Sequence, residues 1–184
     1  MKNIFSILKF TLFMVILLAV IYPMAIFGIA QLAPNKGKGE TITVNGKVVG
    51  YQKIGQKFDK SNYFWGRPSA VDYNAAGSGG SNKGPSNPDY LALVQKRIDT
   101  FLIVHPYLKK SEIPSDMVTA SGSGLDPNIS PQAALIQVKR VAKERKLSEN
   151  KVKALVKTKI NTPAVIGTAT VNVLELNVAL DELK

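Results

Sequence analysis

Few residues in this sequence have the type and spacing to do chemistry. Residues 74–88 read NAAGSGGSNKGPSNP, with hydroxyls, amides, glycines and one lysine, the ingredients of a phosphate cradle. The stretch lacks the Gly-x-x-x-x-Gly-Lys-Ser/Thr spacing, and the helix after it opens only at Asn87, with Pro88 removing one donor. Gly122-Ser123-Gly124, ahead of a second helix, is equally short of a nucleotide fingerprint, so both stretches read as turn clusters. His105 is the only imidazole. It precedes Pro106 at a helix end, where it reads as a partner of the C-terminal dipole rather than a base. Asp116 and Asp126 flank the second loop. An acid and base pair is conceivable there, but each also suits a cap or an Asx-turn. There is no Gly-x-Ser-x-Gly elbow, and one His with no Cys argues against a zinc site. The expectation is no catalytic set and no metal.

Charge is the next feature with a chemical meaning. The chain carries +11, and nine basic residues fall between Lys139 and Lys159 (Lys139, Arg140, Lys143, Arg145, Lys146, Lys151, Lys153, Lys157 and Lys159) against Glu144 and Glu149. A basic helical pair raises nucleic acid as a ligand. A solvated helix face, anionic lipid headgroups or an acidic protein partner explain the same charge more economically once the membrane segment is considered.

That segment is FTLFMVILLAVIYPMAIFGIA, Phe10 to Ala30, without a single charge. At ~1.5 Å per residue it matches a hydrocarbon core of ~30 Å, and Pro23 is tolerable in a membrane helix. A cleaved signal peptide is the rival, with Lys2 and Lys9 as a positive start and Gly28-Ile29-Ala30 as a cleavage site. Its apolar region would be longer than the usual ~7–15 residues, so a retained anchor is expected. The flanking lysines favour neither side; the signal-like start puts the amino terminus inside and the domain outside.

The elements that follow must position the loops. The expected organisation is a short cytoplasmic tail at 1–9, a transmembrane helix at 10–32, a connector at 33–40 and a soluble domain at 41–184. Thr41–Tyr51 alternates around Asn45-Gly46 and reads as a β-hairpin. Ser61–Gly66 reads as an extended piece. Asn87-Pro88 caps a helix whose apolar face carries Leu91, Val94, Ile98 and Phe101. Ile113–Ala120 reads as a short buried strand. Ser130-Pro131 starts a helix with Leu135, Val138, Val141 and Ala142 inward and Lys139, Arg140 and Lys143 off that face. Ser148 caps another, and Val173, Leu176, Leu180 and Leu183 place a last one. The fold class is α+β: a membrane helix followed by a small mixed extracytoplasmic domain. Residues 74–88 read as an ordered loop whose glycines supply positive φ and whose amides and hydroxyls tie the backbone down.

Three blocks carry a resemblance to a known family. WGRPSAVDYNAAGSGGSNKGPSNP, VTASGSGLDPNISPQAALIQVKRVAKER and VNVLELNVALD are similar to the C subunit of the bacterial Kdp potassium-transporting ATPase, and the likeness covers essentially the whole chain. Two positions depart from the family pattern: Lys83 stands where Leu is common and Asn128 where His is common. The resemblance implies a non-pumping accessory subunit of a high-affinity potassium uptake complex in the plasma (inner) membrane. Its partners would be a channel-like subunit, a P-type ATPase catalytic subunit and a small single-helix subunit. It also implies a need for the subunit in assembly and activity, and a proposed role as a catalytic chaperone that raises ATP affinity. By that account Ser78-Gly79-Gly80-Ser81 echoes the serine-glycine-glycine signature of ABC transporters, and Ser78, Gly79, Gly80, Ser81 and Asn82 form a nucleotide or partner-contact loop. Arg67, Asn74, Asn87, Ser121, Asp126 and Asn128 would be structural or interface positions. An outward-facing domain is out of reach of cytoplasmic ATP, so any effect on ATP affinity would pass through the partner's conformational equilibrium. The alternative is a membrane-anchored adaptor whose basic face binds lipid or an acidic partner.

Overall fold

The computed structural model describes residues 2–183 in two compact units, Met1–Glu40 and Thr41–Lys184. The first is a nearly unbroken helical run: α1 (Lys2–Ile16), a π-helical turn (Leu17–Ile21) and α2 (Tyr22–Ala30). Within it Asn3–Ala30, 28 residues with a window of mean hydropathy 2.7, is long and apolar enough to cross a bilayer. The helix begins well before Phe10 because no glycine or proline interrupts it there. The π turn has a local cause. Pro23 has no N–H, and its ring crowds the carbonyl four residues back. The chain widens so that the Tyr22 N–H reaches the Leu17 carbonyl, five residues back. After α2, Pro34 and the left-handed residues Asn35, Lys36 and Gly37 end the helix for good.

The second unit opens with the hairpin of β1 (Thr41–Val44) and β2 (Lys47–Tyr51). Asn45 at φ 50° and Gly46 at φ 75° make the two-residue turn. Thr43 faces Val48 but Ile42 faces Gly50, which leaves Val49 as a bulge. Helix α3 (Pro88–Val104) starts on Asn87, whose Oδ1 accepts the Tyr90 N–H at 3.0 Å. Helix α4 (Pro131–Arg145) starts on Ser130, whose hydroxyl accepts the Ala133 N–H at 3.1 Å. Ser148 holds the cap position of α5 (Glu149–Thr158), but its side chain makes no cap bond. Helix α6 (Val173–Asp181) is capped by Asn172.

One element escapes sequence reading. Strands β3 (Asn128–Ile129), β4 (Ile160–Asn161) and β5 (Thr170–Asn172) form an antiparallel sheet in the order β3-β5-β4. Ile129 and Ile160 both pair with Val171. Strands of two or three residues leave no period to detect. The core gathers against this sheet: Val138 and Val141 of α4, Val152 and Val156 of α5, Leu176 and Leu180 of α6.

Ile113–Ala120 is not a strand. It lies in a chain of 3₁₀ turns at Lys110–Glu112 and Ser115–Met117. Pro114 withholds a ladder donor, and the Thr119 hydroxyl closes back on the Ser115 carbonyl at 2.7 Å. Asp116 accepts the Ser130 N–H at 2.7 Å and so fixes the start of α4.

The extended piece at Ser61–Gly66 pairs with no strand, yet its backbone is satisfied. Phe64 exchanges both of its backbone hydrogen bonds with the Asn177 side-chain amide, at 2.9 and 3.0 Å. Trp65 does the same with Gln137, at 2.8 and 3.2 Å. Two buried amides, one on α4 and one on α6, thus take the place of a neighbouring strand.

Arg140 also departs from the sequence reading. It is buried at 4 % exposure, not on a solvated face. Its guanidinium donates to the Ser61 and Tyr63 carbonyls, to Gln137 Oε1 and to His105 Nε2. The group lies 4.5 Å over the Trp65 ring. His105 is fully buried, stacked on Phe101 at 4.0 Å, with Nδ1 2.8 Å from the Phe101 carbonyl. It does sit at the C-terminus of α3, and it meets the last-turn carbonyl as a neutral ring. Arg145 leaves the basic face too, bound to Asp181 at 2.6 Å and to the Asn62 carbonyl.

Candidate partner-contact loops and an adjoining groove

The two glycine- and serine-rich stretches come together. The Ser78 hydroxyl and the Gly79 N–H both donate to the Ser123 carbonyl, each at 2.9 Å. Ser69 braces the pair from below. Its hydroxyl donates to the Gly124 carbonyl at 2.7 Å and accepts the Val71 and Tyr73 N–H groups. Ser121 is buried, its N–H on the Pro68 carbonyl.

The 74–88 stretch is ordered, but not for the reason the composition suggests. Among its residues the left-handed conformation belongs to Asn82, at φ 51°, and to none of its glycines. Gly80 is needed for close approach, since a Cβ there would sit 2.9 Å from the Gly122 carbonyl oxygen. Across from it, Gly124 combines φ +68° with a virtual Cβ 2.6 Å from Val71 Cγ2 and 2.8 Å from the Gly79 carbonyl oxygen. Gly124→Ala is therefore expected to cost about 2 kcal/mol. Gly84→Ala, where a Cβ meets nothing within 4 Å, should be close to neutral. Urea unfolding of the full chain in micelles measures both.

The remaining expected positions divide into two sets. Arg67 and Asp126 form an ion pair at 3.0 Å, and the other Asp126 oxygen accepts the Asn128 N–H at 3.0 Å. Tyr73 closes this cluster by donating to the Arg67 carbonyl at 2.6 Å. Burial, and after it Asp126, pushes the phenol up to about 12, so it remains a donor. Arg67 Nε is buried with no partner among the described residues. Asn74 and Asn87 are local caps, Asn74 for the short turn at Ala75–Gly77 and Asn87 for α3. Ser81 is half-buried, and Asn82 is exposed at the loop's outer edge. No cluster of three His, Asp or Glu side chains suited to a metal occurs among the described residues.

Next to the Trp65 segment lies a groove of about 380 Å³ that sequence reasoning missed. Its floor is Trp65, Phe101 and Met117, and one wall is the α3 stripe Leu93, Lys96, Arg97 and Thr100. These four positions follow the i, i+3, i+4, i+7 spacing of a single helix face. The face expected to turn inward, Leu91 to Phe101, is buried only at Phe101, and Leu91 remains 52 % exposed. A mixed apolar and cationic stripe at helical spacing was the available signal.

Comparison with known proteins decides what kind of chain this is. The family described as "K+-transporting ATPase, c chain" matches residues 4–182. The chain belongs to the KdpC family. It is 85 % identical over 184 residues to the potassium-transporting ATPase KdpC subunit of Flavobacterium psychrophilum, with both chains covered completely. To the KdpC subunit of Bacteroides thetaiotaomicron it is 53 % identical over 189 residues, again with full coverage of both. The KdpC subunit of Caldanaerobacter subterraneus is 51 % identical, over 96 % of this chain and 94 % of that one. A KdpC chain is a subunit of a potassium-transporting ATPase, and the paired loops and the groove are the features of this one to be read in that setting.

Proposed function

We propose that this chain is a non-pumping scaffold subunit of its potassium-transporting ATPase. The helix within 10–32 anchors it once in the plasma membrane, the 1–9 tail is cytoplasmic, and 33–40 connects to a 41–184 domain outside. That domain docks on the channel-like subunit, next to the catalytic and small single-helix subunits. The supporting observation is the use of the loop donors. The Ser78 hydroxyl and Gly79 N–H are both spent on the Ser123 carbonyl, so these two donors brace the neighbouring loop and are not offered to phosphate. Ser81, Asn82 and the Arg67–Asp126 cluster then act as contact or supporting positions. The chain's effect on ATP turnover passes through the partner's conformational equilibrium.

Topology is the test. The chain has no cysteine, and Ser148 is exposed with no side-chain cap bond to lose. Ser148→Cys is expected to react with a membrane-impermeant maleimide on intact cells. Protection until lysis, shared by Lys38→Cys, would overturn the outward placement and favour direct nucleotide contact through Ser78–Asn82.

A further inference from the structure

The groove beside α3 has a feature the fold does not require. Arg97 is half-buried in its wall, and among the described residues its guanidinium donates only to the Val118 carbonyl, at 3.0 Å. Lys96, one residue before, makes no ion pair with any described residue. Desolvation lowers the Arg97 pKa against a smaller opposing effect of Tyr90, so its charge is held at a cost that no carboxylate among the described residues offsets. The one acidic residue on the lining, Asp59, acts on Lys57. Around these cations the floor is apolar and aromatic, and Leu93 above it is 42 % exposed. Large exposed apolar side chains beside unpaired cations are the makings of a recognition surface.

We propose that this groove receives an extended segment of a partner protein in the potassium-transporting assembly, an apolar side chain entering over Trp65, Phe101 and Met117 and a nearby carboxylate meeting Lys96 and Arg97. The inference rests on the reading of this chain as a scaffold subunit and names the place where it grips. Charge complementarity selects the occupant. A second copy would bring its own Lys96 and Arg97 and a chain of net charge +11, so like charges would oppose pairing. An acidic and apolar segment brings both missing halves. The aromatic floor supplies the anchor pocket, and the two cations set its register.

The test uses the full chain in its membrane assembly, with the photo-crosslinking amino acid p-benzoylphenylalanine at position 93 and, as a control, at the exposed position 157 of α5. Light is expected to join position 93, and not 157, to a different protein chain. Lys96→Glu is expected to lower that yield about tenfold, as loss and reversal of one charge contact would, and Lys157→Glu to leave it unchanged. Lys96→Glu carries the argument because Arg97 also holds the Val118 carbonyl. An intact assembly in which position 93 joins only lipid, only a second copy, or nothing overturns the inference. So does a yield that Lys96→Glu does not change. If the unsubstituted chain purifies without larger partners, the scaffold reading itself has failed, and that control separates the two failures.

Discussion

Arg140→Ala will lower the stability of the domain by about 3–5 kcal/mol, a large share of the ~5–15 kcal/mol that holds a domain together. One guanidinium satisfies four acceptors: the Ser61 and Tyr63 carbonyls, Gln137 Oε1 and His105 Nε2. Truncation takes the donor from the Ser61 and Tyr63 carbonyls and from His105 Nε2, and leaves Gln137 Oε1 with the Trp65 N–H alone, at about 1–3 kcal/mol for a single unmet buried group. It also opens a cavity against Trp65, whose face the guanidinium covers at 4.5 Å. Desolvation draws the Arg140 pKa down to about 10, so the group stays charged at neutral pH while bearing the strain of burial. Urea midpoints of the full chain in micelles give the answer, and a loss below about 1 kcal/mol would mean that the four contacts do not hold the Ser61–Trp65 segment. Lys139→Ala, one residue away and exposed, should change stability by less than about 0.5 kcal/mol.

The second large effect is a pH dependence with a single source. His105 is fully buried, and desolvation, reinforced by the Arg140 charge against the opposing Phe101 hydrogen bond, lowers its pKa to about 4. In the unfolded chain the imidazole returns to its ordinary 6.5. The folded state therefore favours the neutral ring. Above pH 6.5 both states are neutral and stability is complete. As pH falls from 6.5 toward 4 the unfolded state takes up a proton that the fold refuses, and about 3 kcal/mol is lost across that window. Protonation in the fold would also remove the lone pair that accepts Arg140 Nε at 2.9 Å and set two cations side by side. The chain has one histidine, so its ring resonance in an NMR titration is unambiguous. A midpoint near 4 is expected; one near 6.5 would show the ring solvated. His105→Gln, which keeps an acceptor but cannot titrate, should flatten the fall in stability between pH 6.5 and 4.

What was legible in the sequence was whatever is decided within a few residues. Asn45-Gly46 sets its own turn, and Asn87-Pro88 and Ser130-Pro131 set their own helix starts, because the capping oxygen and the donor it meets lie three residues apart. The long apolar helix was legible because its uncharged run carries no competing signal. Features decided by distant partners were not. Arg140 looks like any other basic residue on α4 until the Ser61–Trp65 backbone arrives with carbonyls and no strand to pair with. The reason for Gly80 appears only when Gly122 is folded against it. The stretch Ile113–Ala120 has the apolar content of a strand, but Pro114 and the hydroxyls of Ser115 and Thr119 turn it locally. In the candidate site, the loop residues were found by type, while the groove stayed hidden because Trp65, Arg97 and Met117 are neighbours only in space.

The amide clasp on Phe64 has a consequence for how the protein is made. Its partner, Asn177, lies 113 residues further along the chain. At a synthesis rate of ~5–20 residues per second, that separation is roughly 6–20 s of translation. During that interval the Ser61–Trp65 strip has been made, but the helix that closes over it does not yet exist. The domain can therefore close its core over Phe64 only once α6 has been made. A chain that stops short of α6 does not yield a smaller domain. It leaves an open one, with Phe64 bare.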